Sequence, residues 1–196
     1  MSLIKQFIRP LLIMWTLIGI VFISKSPVFV WLNPPTQIPT QYYVDLQDTN
    51  PTEYGLVTQV SDGDTLSMEH GQEVRLLGID TPELAHPEIF IKEECFGKQA
   101  KARLEQLVLN KYVYLLKDIK DTDRYGRSLR FVFLPDNTSA QKMILVNAYM
   151  IGEGFARSYI FEKEQKYKDY INALQQYAID NKRGLWGKCD REKFRW

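Results

Sequence analysis

The sequence predicts an α+β domain dominated by a small β-barrel, and three observations predict it. Five short β-rich stretches occur in the order β-β-β-α-β-β-α-α, with one helix between the third and fourth. The apolar period changes from two to helical spacing at Gly97 and changes back at Tyr112. Composition is ordinary for a globular chain, at 45% hydrophobic and 25% charged residues over 196 positions, which excludes wholesale disorder and fibrous repeats.

Each element has a local reason. Tyr54–Val60 is β-rich and ends at Ser61-Asp62-Gly63-Asp64, whose Asp-Gly step signals a turn. Thr65–Glu69 resumes as a strand and turns at His70-Gly71. Val74–Ile79 is a third strand, stopped by Pro82, and strand alternation sets Arg75, Leu77 and Ile79 on one face. From Gly97 to Asn110, Ala100, Leu104, Leu107 and Val108 recur at helical spacing. Tyr112–Leu116 and Leu129–Leu134 follow as strands. Met143–Ile151 reads as a helix, and Glu162–Asn181 as a longer amphipathic one that Gly184 ends. Five strands and this order give a five-stranded OB-type barrel capped by three helices.

The ends of the chain read differently. A basic start (Lys5, Arg9) precedes an uncharged run from Pro10 to Ser24, roughly 22 Å long as a helix at ~1.5 Å per residue. A second apolar patch, Val28–Leu32, extends it. Nothing in the run is amphipathic, so residues 1–32 are expected to be an uncleaved signal anchor or a cleaved secretory signal rather than a core helix. The positive-inside rule then puts the domain outside the cytoplasm, membrane-anchored or secreted. Residues 33–53 carry Pro34, Pro35, Pro39 and Pro51 and read as an extended spacer with no packed element. The folded domain is expected over 54–188, with a tail over 189–196. Cys95 and Cys189 are an even pair in a chain expected to meet oxidising conditions, so they read as a disulfide or as two buried thiols. With His70 and His86 they show no zinc-ligand spacing.

Charge excludes one class of partner. Lys+Arg number 25 and Asp+Glu 24, and the first 33 residues hold no acid, so the domain itself is slightly acidic. It does not bind nucleic acid by being globally basic; it must use local charge or a metal.

Three clusters carry the chemistry. Asp62-Gly63-Asp64-Thr65 alone is an acidic hairpin turn, and it is no EF-hand loop, since a required ligand position falls on Leu66. Arg75-Leu-Leu-Gly-Ile-Asp80-Thr81-Pro82-Glu83 places an arginine among apolar neighbours, where it needs Asp80, Glu83 or an anionic ligand. Asp121-Thr122-Asp123-Arg124-Tyr125-Gly126-Arg127 alone is a polar loop leading into a strand. Together they offer carboxylates for a hard cation (Asp64, Asp80), two arginines for a phosphate (Arg75, Arg127) and an acid for an attacking water (Glu83). That is the equipment of phosphodiester hydrolysis.

At these residues the sequence resembles the staphylococcal nuclease (thermonuclease) family, from about Leu56 to Trp186. The motifs that carry the resemblance are Val60-Ser-Asp-Gly-Asp-Thr65, Arg75 through Glu83, Phe96-Gly-Lys-Gln-Ala100, Thr122 through Arg127, Val146-Asn147, Gly154-Phe-Ala156 and Gly184-Leu-Trp186. The resemblance implies that Asp64, Asp80 and the main-chain carbonyl of Thr81 bind one calcium ion. It implies that Glu83 orients or activates water, and that Arg75 and Arg127 hold the scissile phosphate. It further implies cleavage of DNA and RNA with little sequence preference, leaving 3′-phosphate ends, by a monomer. Tyr125 and Tyr159 look like the tyrosines of the family's nucleotide pocket, although Phe155–Phe161 is one residue shorter than the family pattern. The loop from Leu84 to Phe96 is slightly longer, and it carries Glu88, Glu93 and Glu94 where the best-known member is lysine-rich. Those acids weaken attraction to phosphate, so a poorer or more selective nuclease is expected. The alternative reading is a catalytically weak or inactive OB-type module that binds nucleic acid or protein, which has no need of Glu83.

Overall fold

A computed structural model describes residues 38–85, 92–136, 141–160 and 166–190. A 3-10 turn at Thr40–Tyr42 leads into β1 (Tyr43–Asp45) and the single-turn α1 (Leu46–Thr49). Then come β2 (Glu53–Val60), β3 (Thr65–Met68), β4 (Glu73–Leu76), β5 (Ile79–Asp80) and α2 (Gly97–Val108). The rest is β6 (Tyr112–Leu116), β7 (Ser128–Pro135), β8 (Lys142–Leu145), α3 (Val146–Gly152), β9 (Arg157–Ser158), α4 (Lys168–Asp180) and α5 (Leu185–Lys188).

The result is an α+β fold built on one large, mostly antiparallel sheet in the order β1-β8-β7-β4-β3-β2-β6, with β5 and β9 as a separate pair. β6 also pairs with β7, so β2, β3, β4, β7 and β6 form a ring of pairings. These are the five strands read from the sequence. The one parallel contact, Arg75 opposite Leu129 between β4 and β7, sets the ends of those two strands on the same side. Alternation along the strands sends Val57, Leu66, Val74, Leu76, Val113, Leu115 and Phe133 into a core that α2 and α3 close with Leu104, Val108 and Met150.

Three expectations are corrected. Met143–Ile151 is not all helix: Lys142–Leu145 pairs with β7 and β1, and the helix begins at Val146. A continuous apolar run satisfies a buried strand and a buried helix alike. Val74–Ile79 is not one strand. It breaks at Leu77-Gly78, and Ile79-Asp80 turns away to pair with β9. Nor is the proline-rich stretch an empty spacer from Thr40 onward. Tyr42 is fully buried against Tyr149, with ring centroids 5.1 Å apart, and its hydroxyl donates to Glu153 Oε1 at 2.7 Å. Pro39 and Pro51 flank these contacts instead of preventing them.

Cys95 and Cys189 are joined as a disulfide that ties the approach to α2 to the end of α5. Among the described residues no helix is long and apolar enough to cross a membrane. The segment 1–32, read as anchor or signal, lies outside the described residues, as does the tail beyond Asp190.

Candidate active site

The Asp62–Asp64 turn is built by its own side chain: Asp62 Oδ1 accepts the N–H of Asp64 at 3.0 Å. Gly63 is required here by close approach, because a Cβ would lie 2.7 Å from Ala100 Cβ and 2.8 Å from the Thr81 side chain. With α2 and Thr81 pressed against the turn, the Asp64 side chain is 6% exposed. Its Oδ2 accepts the Thr81 N–H (2.9 Å), the Thr81 hydroxyl (3.0 Å) and Arg75 Nη2 (3.0 Å). The Thr65 hydroxyl donates to its Oδ1 at 3.2 Å.

Arg75 stands opposite Thr65 in the β3–β4 pairing, which is why it reaches Asp64. Nη1 donates to the carbonyls of Leu76 (3.0 Å) and Ile79 (2.8 Å), and Nη2 also donates to Asp80 Oδ1 (3.1 Å). The arginine is therefore aimed by main chain and neutralised by two carboxylates, as a buried guanidinium must be.

Arg127 is aimed by the loop before β7. Asp123 Oδ1 accepts the N–H groups of Tyr125 (2.8 Å) and Arg127 (3.0 Å), and Oδ2 accepts Arg127 Nε at 2.7 Å. Burial pushes the Asp123 carboxyl up, but these hydrogen bonds outweigh it and hold the group below its ordinary value. Arg127 Nη1 then reaches the Thr65 hydroxyl at 3.3 Å, beside the Asp64 turn. Glu83 is placed by the loop ahead of α2: its N–H donates to Glu94 Oε2 (3.1 Å), and its carbonyl accepts the Glu94 N–H (2.9 Å). Gly97 permits this, since a Cβ there would sit 2.7 Å from the Glu83 carbonyl oxygen.

These groups converge. Asp64, Arg75, Asp80, Thr81, Glu83, Tyr125, Arg127 and Tyr159 all line one open cleft of about 740 Å³. Tyr125 and Tyr159 are 67% and 48% exposed, and the Arg127 guanidinium lies 5.4 Å from the Tyr125 ring centre. Sequence reading missed Arg157, which also lines the cleft. Its Nε and Nη2 both donate to Asp80 Oδ2, at 2.9 and 2.5 Å. The only signal in the sequence was its place directly after Gly154-Phe-Ala156.

The donor chemistry suits a hard divalent cation, because Asp64, Asp80 and the Thr81 carbonyl present oxygen alone. Negative charge is also crowded. Burial first, then the Asp62 charge, push the Asp64 carboxyl up to about 7 despite Arg75. Burial and the charges of Asp62, Asp80 and Glu94 push Glu83 up as well. A cation among these oxygens would relieve both. Among the described residues no three or more His, Cys, Asp or Glu side chains form a group that could hold a metal. The expected set has only two carboxylates and a main-chain oxygen.

Comparison with known proteins matches residues 73–188 to the family described as staphylococcal nuclease homologue. A thermonuclease of Staphylococcus hyicus is 30% identical over 144 residues, covering 72% of this chain and 79% of its own. An endonuclease of Bacillus subtilis is 33% identical over 132 residues, covering 65% of this chain and 58% of its own. An uncharacterized protein of Methanocaldococcus jannaschii is 30% identical over 203 residues, covering 93% of this chain and 94% of its own.

Proposed function

Because the chain belongs to the staphylococcal nuclease family and is a hydrolytic nuclease, we propose that it cuts DNA and RNA with little sequence preference, in a calcium-dependent reaction that leaves 3′-phosphate ends. The observation that carries this reading is the meeting of all eight expected residues in one cleft. The ring of β2, β3, β4, β7 and β6 supports the OB-type barrel as its scaffold.

In this reading the scissile phosphate lies between Arg75 and Arg127, whose fixed N–H groups meet the charge that builds on its oxygens. Glu83 orients a water and takes its proton as the water oxygen bonds to phosphorus; the bond to the 5′ oxygen breaks, and that oxygen takes a proton from solvent to leave as a hydroxyl. Asp64, Asp80 and the Thr81 carbonyl would hold one calcium ion, which would supply Lewis-acid polarisation of a phosphoryl oxygen. Tyr125 and Tyr159 present faces on which bases of any identity stack. Export, with the domain anchored or secreted, rests on the apolar segment before residue 33, and the Cys95–Cys189 disulfide suits an oxidising compartment.

The test incubates the protein with single- and double-stranded DNA and with RNA, in calcium and in chelator, beside Glu83→Ala. Calcium-dependent cleavage with 3′-phosphate ends, lost in the variant, is expected. Cleavage that survives chelation, or that survives loss of Glu83, overturns the assignment.

A further inference from the structure

Arg157 has no part in the chemistry above, yet it holds Asp80 by two nitrogens. β5 and β9 pair antiparallel with Asp80 directly opposite Arg157, so the two side chains leave the same face. Both Arg157 donors fall on Oδ2, while Arg75 Nη2 donates to Oδ1 at 3.1 Å. Each oxygen of Asp80 therefore already faces a guanidinium. At Oδ2 two nitrogens of one guanidinium converge on a single oxygen, so a cation reaching that oxygen meets the Arg157 charge directly. The pair is partly buried, with side chains 23% and 21% exposed, so water does not screen it away.

Resting on the reading that Asp64 and Asp80 hold a divalent cation, we propose that Arg157 is a positioning residue that competes with that cation for Asp80 and sets the cation affinity of the free protein. The guanidinium holds Asp80 in place against the neighbouring charge of Glu83. The consequence is weaker binding, since an incoming cation must first take Oδ2 from Arg157.

The test is a calorimetric titration of calcium chloride into metal-free protein, with no nucleic acid present. Arg157→Gln should bind calcium on the order of tenfold more tightly, a pair of this burial lying between the exposed and buried limits. Arg157→Lys keeps the charge but loses the fork, and should fall between the two. Arg124→Gln removes a charge from the same cleft, where Arg124 packs over Tyr125 at 4.7 Å, and should change affinity by less than about twofold. Unchanged or weaker binding in Arg157→Gln overturns the inference, and so does equal tightening in Arg157→Gln and Arg124→Gln. Thermal melting in chelator checks that each variant folds. If Arg157→Gln does not, Arg157→Lys decides on the same criterion. Should neither wild type nor Arg157→Gln bind calcium, or Asp80→Asn bind as well as wild type, the cation reading of Asp80 itself fails.

Discussion

The side-chain amide of Asn147 donates to the main-chain carbonyl of Leu77 at 2.9 Å, joining the first turn of α3 to the break between β4 and β5. Its Oδ1 accepts the N–H of Val132 in β7 at 2.8 Å, and the whole side chain is buried. One residue thus satisfies main-chain groups on both sides of the point where the chain turns from the sheet to bring Asp80 into the cleft. Asn147→Ala leaves a buried donor and a buried acceptor unmatched, a cost of about 2–4 kcal/mol. Denaturant unfolding should show that loss. The cleavage rate per folded molecule should change far less, because Asn147 does not line the cleft.

The two arginines separate stability from rate. Arg75 neutralises Asp64, and both side chains are largely buried, so Arg75→Ala leaves buried acceptors without their donor and should cost about 1–3 kcal/mol as well as rate. Arg127 pairs with Asp123 at the mouth of the cleft, where the loss is better hydrated. Arg127→Ala should therefore lower the cleavage rate by on the order of 10²–10³ while shifting the melting temperature less than Arg75→Ala. Rates at saturating substrate and melts of the same samples check both. An unchanged rate in Arg127→Ala overturns its assignment.

What the sequence made legible follows from how local each signal was. Asp64 follows an Asp-Gly turn and Asp80 sits before a strand-stopping proline, so turn chemistry alone placed both at strand ends. Arg157 gave no such sign: its partner is 77 residues away, and a pairing across a short two-residue ladder leaves no period in the sequence. The same holds for Arg130, buried within β7 and bound to Glu53 at 2.7 Å. β8 was hidden because Met143-Ile144-Leu145 is apolar on every side, and β1 because proline content argued for an extended spacer. In each case a tertiary partner decided the matter, and local pattern cannot see one.

The disulfide closes a loop of sequence separation 94. Constraining the unfolded chain over that span is worth roughly 4–5 kcal/mol in the chain-entropy model. Reduction, or Cys95→Ser with Cys189→Ser, should lower the unfolding midpoint accordingly. The cleft should survive in the fraction that stays folded, since neither cysteine lines it. Unfolding curves with and without reductant measure the difference.

The buried Asp64 gives a pH dependence of definite sign. Its folded value is pushed up to about 7 from an ordinary 3.8. Between those two values the folded state therefore binds more protons than the unfolded one. Stability contributed by this group is fully present below about pH 4, falls as pH rises, and is lost above about pH 7. Asp64→Asn carries no titrating group there. In metal-free buffer, the difference in stability between wild type and Asp64→Asn should therefore move against wild type from pH 4 to pH 7 and level off beyond. Calcium, if it binds these oxygens, favours the ionised carboxylate and should flatten that slope. A difference that grows in favour of wild type with rising pH would mean that Arg75 and the Thr81 hydrogen bonds outweigh burial at Asp64.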